Sequence, residues 1–271
     1  MKVNKLILNT VAFCSICILG VTCGSASAQL PKDRIFGFWG LGALSIPEYD
    51  GANDADIVPL VIGRIQRNQY YLEVQGLTTR VNVSRVQGIE FGPMFGFRFA
   101  RDEDLDNETI AMFEEIDSTI EAGAFINFLF QGIFSDSDQV SFSLDILTDT
   151  SDAHDGTIAE LNSTYSYMSG ERLRVSASLI LEYGNDEFTD TYFSVSEQNS
   201  IVSGLPRYEA EEGFNRLSAT LFANYMLNQQ WSVMGLAGYQ RLLGDAADSP
   251  IVDIEGDENQ MLFGAGIAYH F

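Results

Sequence analysis

At 271 residues, 46% of them hydrophobic, the chain is long enough for one large domain or two small ones and can supply either a buried core or a lipid-facing surface. Its 38 acidic residues against 15 basic ones give a formal net charge of −23, which repels phosphate backbones and excludes nucleic acid as a partner. All three cysteines, Cys14, Cys17 and Cys23, lie near the amino terminus, so disulfides cannot hold the body of the chain together.

The first 28 residues have the layout of a secretory signal peptide. Lys2 and Lys5 precede an apolar run over residues 6–21, and Ala26-Ser27-Ala28 supplies small residues for cleavage between Ala28 and Gln29. An uncleaved anchor fits less well because Asn9 and Thr10 interrupt the run, and a lipoprotein signal is the weaker rival at Cys23. Loss of this segment leaves 13 basic residues against 38 acidic ones, a formal −25.

From residue 29 onward the recurrent pattern is alternation, the period of a strand with one apolar face. Segments with this pattern are predicted over residues 33–43, 57–66, 69–83, 88–100, 118–130, 139–150, 156–168, 172–183, 214–226, 231–243 and 259–271. The last is the plainest: Met261, Phe263, Ala265, Ile267, Tyr269 and Phe271 share one face, opposite a face with Gln260, Gly264, Gly266, Ala268 and His270. Many segments reach ten or more residues, the length a tilted strand needs to cross a bilayer. A closed barrel is the one sheet that satisfies every backbone polar group in hydrocarbon. The expectation is therefore an antiparallel transmembrane β-barrel over residues 29–271. An even strand number turns the eleven segments into twelve, with ten as the fallback. The missing strand is expected within 69–83 or at the run Thr191 to Val195.

Tyrosines and tryptophans near strand ends (Tyr70, Tyr71, Tyr165, Tyr167, Tyr183, Tyr225, Trp231, Tyr239 and Tyr269) suit the membrane interface. The faces opposite the apolar ones carry charges of both signs: Arg64, Glu73, Glu90, Arg98, Glu121, Asp145, Glu160, Arg172, Arg174, Glu182 and Arg216. Such a set can line a hydrated channel or form ion pairs that fill the lumen, and twelve strands favour a narrow or plugged bore.

Catalytic machinery is hard to assemble from this inventory, and no enzyme activity or cofactor is expected. The mature chain has no thiol and two histidines; His270 falls on an inward face, and His154 falls in a polar loop beside Asp149, Asp152 and Asp155, where a solvated or turn-stabilising role is simpler than catalysis. Asp102, Asp104 and Asp106 have the first three spacings of a calcium loop, but Asn107 and Phe113 stand where its glycine and its bidentate glutamate belong. Asp253, Glu255, Asp257 and Glu258 form a second acidic cluster, read as solvated loop or as carboxylates sharing divalent cations with lipopolysaccharide.

The terminal Phe271, with Tyr269 and Ile267 on its face, resembles the carboxy-terminal signal by which outer-membrane proteins are recognised for assembly. A narrower resemblance comes from Pro47-Glu48-Tyr49-Asp50-Gly51, from Phe97-Arg98-Phe99-Ala100-Arg101-Asp102-Glu103-Asp104 and from Asp152-Ala153-His154-Asp155-Gly156. Gly204-Leu205-Pro206 before Tyr208, and Arg241-Leu242-Leu243-Gly244-Asp245 through Ser249-Pro250, extend it. Together these stretches resemble the MipA/OmpV family, although Ala100 stands where a glycine is common. The resemblance implies an outer-membrane protein of a Gram-negative cell, in contact with membrane lipid and lipopolysaccharide. It also implies a scaffold that binds a lytic transglycosylase and a peptidoglycan synthase, with a porin-like small-solute channel as the alternative.

Overall fold

The computed structural model describes residues 34–271, so the expected signal peptide and its cleavage site at Ala28 and Gln29 lie outside the described residues. The described residues form twelve strands: β1 Ile35–Pro47, β2 Ala55–Arg67, β3 Tyr70–Gln75, β4 Thr78–Asn82, β5 Ile89–Arg98, β6 Thr119–Gln131, β7 Asp138–Asp149, β8 Thr157–Ser169, β9 Leu173–Gly184, β10 Gly213–Met226, β11 Trp231–Leu242 and β12 Asn259–His270. Each pairs antiparallel with its neighbours in sequence, and β12 returns to β1 to close the barrel, from Phe38↔His270 to Ser45↔Phe263. Closure leaves no free end to the sheet order.

The twelfth strand comes from the 69–83 segment, which is a hairpin rather than one strand. Gly76, at φ 59°, turns the chain between β3 and β4, a left-handed conformation in which glycine carries no Cβ penalty. The other suspect, Thr191 to Val195, closes α1 (Asp186–Phe193) and makes a single bridge from Val195 to Tyr208.

Alternation puts the apolar faces outside. Leu179 on β9, Leu221 on β10, and Met261 and Phe263 on β12 are each more than half exposed, at 57%, 58%, 59% and 56%. A belt of this size exposed on a water-soluble globule would be unstable, so these faces meet lipid. Aromatic rings flank the belt at both ends. Trp39, Tyr269 and Trp231 pack together where β1 begins and β12 ends, with Tyr269 centred 6.4 Å from Trp39 and 5.1 Å from Trp231, while Tyr183 meets Phe214 at 5.9 Å at the opposite end.

The lumen is not uniformly polar, which corrects the simple division into a greasy outside and a polar inside. On the side built by β1, β2 and β10 to β12, the inward residues Phe38, Leu44, Leu60, Ile62, Phe222 and Leu262 form an apolar lobe with Met234 and Leu236. Charged and hydroxyl side chains fill the other side.

The β3–β4 hairpin is short, and β2 pairs with it only from Ile62 to Arg67. Over residues 55–61, β2 therefore has β1 alone as strand partner. The Val61 carbonyl accepts from Gly76 N on the hairpin side, so Pro59, two residues away, also directs its backbone away from β1. A proline without an N–H fits a position where no ladder donor is needed.

Loops are short at the end where β1 begins and β12 ends, and long at the other apart from the tight β3–β4 turn, the asymmetry of outer-membrane barrels, which puts the long loops outside the cell. These loops carry a 3-10 turn (Ile110–Met112) and four short helices: α1, α2 Glu197–Ser203, α3 Gly244–Asp248 and α4 Pro250–Asp253. Asn185 caps α1 by accepting from Phe188 N at 3.3 Å. Phe188 and Phe193 of α1 then join Met94, Phe125, Leu147 and Ile158 from the wall in one buried cluster with Ala246 of α3 and Val252 of α4. The outer mouth is thereby capped by helices whose apolar sides enter the barrel.

Candidate functional site

The lumen is the first candidate site, because it gathers the inward charges. On β2, Arg64 lies 3.6 Å from Glu90 of β5 and 3.9 Å from Glu73 of β3, with its guanidinium 3.6 Å from the centre of the Tyr71 ring. Tyr71 Oη and Asn127 Nδ2 both donate to Glu90, at 2.9 and 3.0 Å. Higher up, Arg98 Nε on β5 donates to Glu121 on β6 at 3.1 Å. Arg80 of β4 reaches Asp145 of β7 across two intervening strands. Arg216 of β10 pairs with Glu182 of β9 and, at 2.6 Å, with Asp50 of the β1–β2 loop, across β11 and β12. The Arg80–Asp145 and Arg216–Asp50 pairs bridge non-neighbouring parts of the wall.

Glu160 is buried between Asp145 and Glu182 in register, and Arg174 is buried on the inward face of β9. Arg172 stands apart from its expected set: it lies exposed in the β8–β9 turn, before the strand begins, and its carbonyl accepts from Met226 N. Buried charges of this kind persist where each has a partner, since desolvating an unpaired one costs several kcal/mol.

Two participants escaped the sequence reading. Arg80 did so because reading residues 69–83 as one strand gives even-numbered residues the outward face, and the turn at Gly76 and Leu77 reverses that parity. Asp50 did so because a loop residue has no periodicity to report its direction.

His154 also differs from its expected place in a solvated loop. It is 5% exposed, with Nε2 3.3 Å from Glu121 Oε1, Nδ1 accepting from Gly156 N at 3.0 Å, and Phe188 and Tyr192 packed against the ring at 5.5 Å each. Asp149 performs the turn stabilisation instead, accepting from the backbone N–H groups of Ser151, Ala153, His154 and Asp155. The imidazole thus extends the Arg98–Glu121 pair.

The acidic loops are tied into local structure. Asp104 N donates to Asp102 at 3.0 Å, Glu258 pairs with Arg241 at 2.8 Å, and Asp257 accepts from Asn259 N, which holds its carboxyl below the usual range. Among the described residues no three His, Cys, Asp or Glu side chains converge as a metal site.

At the periplasmic mouth a cleft of about 400 Å³ opens between Phe36, Phe38, Arg64, Gln66, Gln230 and His270. His270 Nε2 lies 2.9 Å from Ser232 Oγ, and its ring packs on Phe38. On the outer wall beside this mouth are Ile267, Tyr269 and Phe271, and the Phe271 backbone exchanges hydrogen bonds with Gly37 at 3.0 and 3.1 Å.

A closed twelve-stranded barrel with a lipid-facing belt, aromatic rings at both interfaces and paired charges within is an outer-membrane β-barrel. The model for the MltA-interacting protein MipA family matches residues 39–271, nearly all of the described barrel, and the chain belongs to that family. Among curated relatives, the MltA-interacting protein of Escherichia coli (strain K12) is 31% identical over 123 residues, 45% of this chain and 48% of that protein. Outer membrane protein OmpV of Vibrio cholerae is 31% identical over 91 residues, 34% of each. The matched stretch thus spans about half the length of the first relative or less. Among solved structures, the outer membrane channel COG4313 of Pseudomonas putida F1 has a TM-score of 0.45 at 10% identity, covering 89% of this chain and 97% of its own. The KdgM porin has a TM-score of 0.38 at 9% identity, covering 88% and 99%. At these values neither informs on transport.

Proposed function

We propose that the protein is a non-enzymatic scaffold of the outer membrane, anchored by its lipid-facing belt and presenting its periplasmic mouth to a peptidoglycan-remodelling enzyme, a lytic transglycosylase and with it a peptidoglycan synthase. The observation that carries this reading is the occupied lumen: the Arg216 pairs to Asp50 and Glu182, the Arg80–Asp145 pair and the helices above them take the space a solute would need. The name of the Escherichia coli relative, MltA-interacting protein, supports a partner of this class. The cleft beside Phe36, Gln230 and His270 offers the partner mixed apolar and polar contacts on the correct side of the membrane. On this reading Ile267, Tyr269 and Phe271 serve assembly of the barrel itself.

The test is affinity purification of the tagged barrel from detergent-solubilised envelopes, compared with an unrelated barrel of similar size. Enrichment of a lytic transglycosylase or a peptidoglycan synthase, reduced by Phe36→Asp or Gln230→Arg, is expected. Recovery equal to the control barrel contradicts the scaffold.

A further inference from the structure

At the extracellular end, the β5–β6 loop, the helical β9–β10 loop and Ala153 enclose a cleft of about 430 Å³. Arg101 lines it and is 5% exposed. Its backbone exchanges two hydrogen bonds with Ile116, at 2.8 and 2.9 Å, its Nη1 donates to Tyr192 O at 3.0 Å, and its guanidinium lies 5.7 Å from the Phe113 ring centre. Among the described residues no carboxylate is within ion-pair distance of it, and its buried Nε has no acceptor. Arg64, Arg80, Arg98 and Arg216, buried to a similar degree, each have a carboxylate. Burial without a close counter-ion holds the Arg101 guanidinium down at about 10, offset in part by Tyr192, Tyr49 and the more distant Asp50, so it stays charged at neutral pH.

A buried cation with an idle donor is a costly arrangement that an anion relieves. The exposed rim of the same cleft has the opposite sign: Glu114, Glu115, Asp190, Glu197 and Glu209 line it with Arg207, which is already engaged by Glu197 at 3.6 Å and Glu209 at 4.0 Å. A simple anion meets repulsion at this rim, and a simple cation meets it at Arg101. A molecule with a carboxylate at one end and an ammonium at the other satisfies both.

We infer that this cleft binds a small zwitterionic solute, an amino acid or short peptide with a free carboxylate and a basic side chain. The carboxylate accepts from the Arg101 guanidinium, whose planar fork matches its two oxygens, and the ammonium lies among the rim carboxylates. The volume falls in the range of small-molecule pockets. This site faces outward and does not depend on the periplasmic scaffold role.

Isothermal titration of the whole barrel in detergent micelles with the dipeptide Gly-Lys, its carboxy-terminal amide and Gly-Gly tests the inference. Gly-Lys is expected to bind at least ~10-fold more tightly than its amide, the effect of losing one charge-assisted contact. Gly-Gly should bind more weakly than Gly-Lys, with a difference that shrinks in 1 M salt because the rim is exposed, where the Debye length is about 3 Å. Arg101→Gln should bring Gly-Lys down to the level of the amide while preserving the heat-modifiable migration of a folded barrel. If that variant does not fold, the acid-to-amide ratio on the unaltered protein decides. Equal binding of acid and amide, no binding of Gly-Lys at millimolar concentration, or undiminished binding by a folded Arg101→Gln barrel overturns the inference.

Discussion

Arg98 and Glu121 give the sharpest test of whether the interior is packed or wet. Both are almost wholly buried, at 2% and 1% exposure, and their 3.1 Å contact joins adjacent strands below the helical cap. Replacing Arg98 by methionine keeps a flexible stem but leaves the Glu121 carboxylate in a desolvated site with His154 as its nearest remaining partner. Removing one member of a buried pair costs about 3–5 kcal/mol, whereas replacing both by apolar residues of similar volume is close to neutral. Arg98→Met and Glu121→Leu should therefore each lower unfolding stability by about 3–5 kcal/mol, and the double variant should recover most of it. Denaturant titration in lipid vesicles reads this directly, because Trp39 and Trp231, the two tryptophans of the chain, sit on the outer wall and change environment on unfolding. If both single variants stay within ~0.5 kcal/mol of the parent, the pair is exposed to water and the packed-lumen argument fails.

Other outcomes follow from the same geometry. Leu179→Arg, on the exposed apolar face of β9, should cost up to about 2–4 kcal/mol in vesicle unfolding if it lies near the bilayer midplane; no change would mean that this face is not in lipid. Gly76→Val forces a β-branched residue to φ 59° and should destabilise by about 1–3 kcal/mol in the same titration, with Gly170→Val, at φ 63° in a periplasmic turn, as the comparison. Glu48 is buried in the β1–β2 loop, accepts from Asp106 N at 3.2 Å, and is pushed upward by burial more than that hydrogen bond holds it down. A carboxyl raised on folding contributes stability in full below its unfolded value and loses it as pH rises through its folded value. Glu48→Gln should accordingly gain stability relative to the parent between pH 4 and pH 8 in thermal melts; a difference independent of pH refutes the assignment.

Much of the barrel was legible because period two is a strict code: one apolar face must meet lipid, so β12 or β9 declares its outside residue by residue. The code breaks where the parity resets, as at Gly76: the even strand number pointed to a twelfth strand within 69–83, but the inward direction of Arg80 stayed hidden. It is silent on loops, so Asp50 and Arg101, which supply long-range charges, could be quoted as motif residues but not given a direction. It also hides the apolar lobe, because Phe38, Leu60 and Leu262 face inward among glycines and small residues on strands whose outward faces are equally greasy. His154 is the reverse case: its acidic neighbours in sequence suggested solvent, while the three-dimensional neighbours Glu121, Phe188 and Tyr192 enclose it.

Planar-bilayer recording of the purified barrel addresses the sealed interior most directly. Silent membranes are expected from the parent protein, with current steps appearing once Arg216→Ala and Asp50→Ala remove the pair that crosses the lumen. Steady unitary conductance from the unaltered barrel would show that ions pass where paired charges and helices are held to close the path, and would replace the scaffold with a channel.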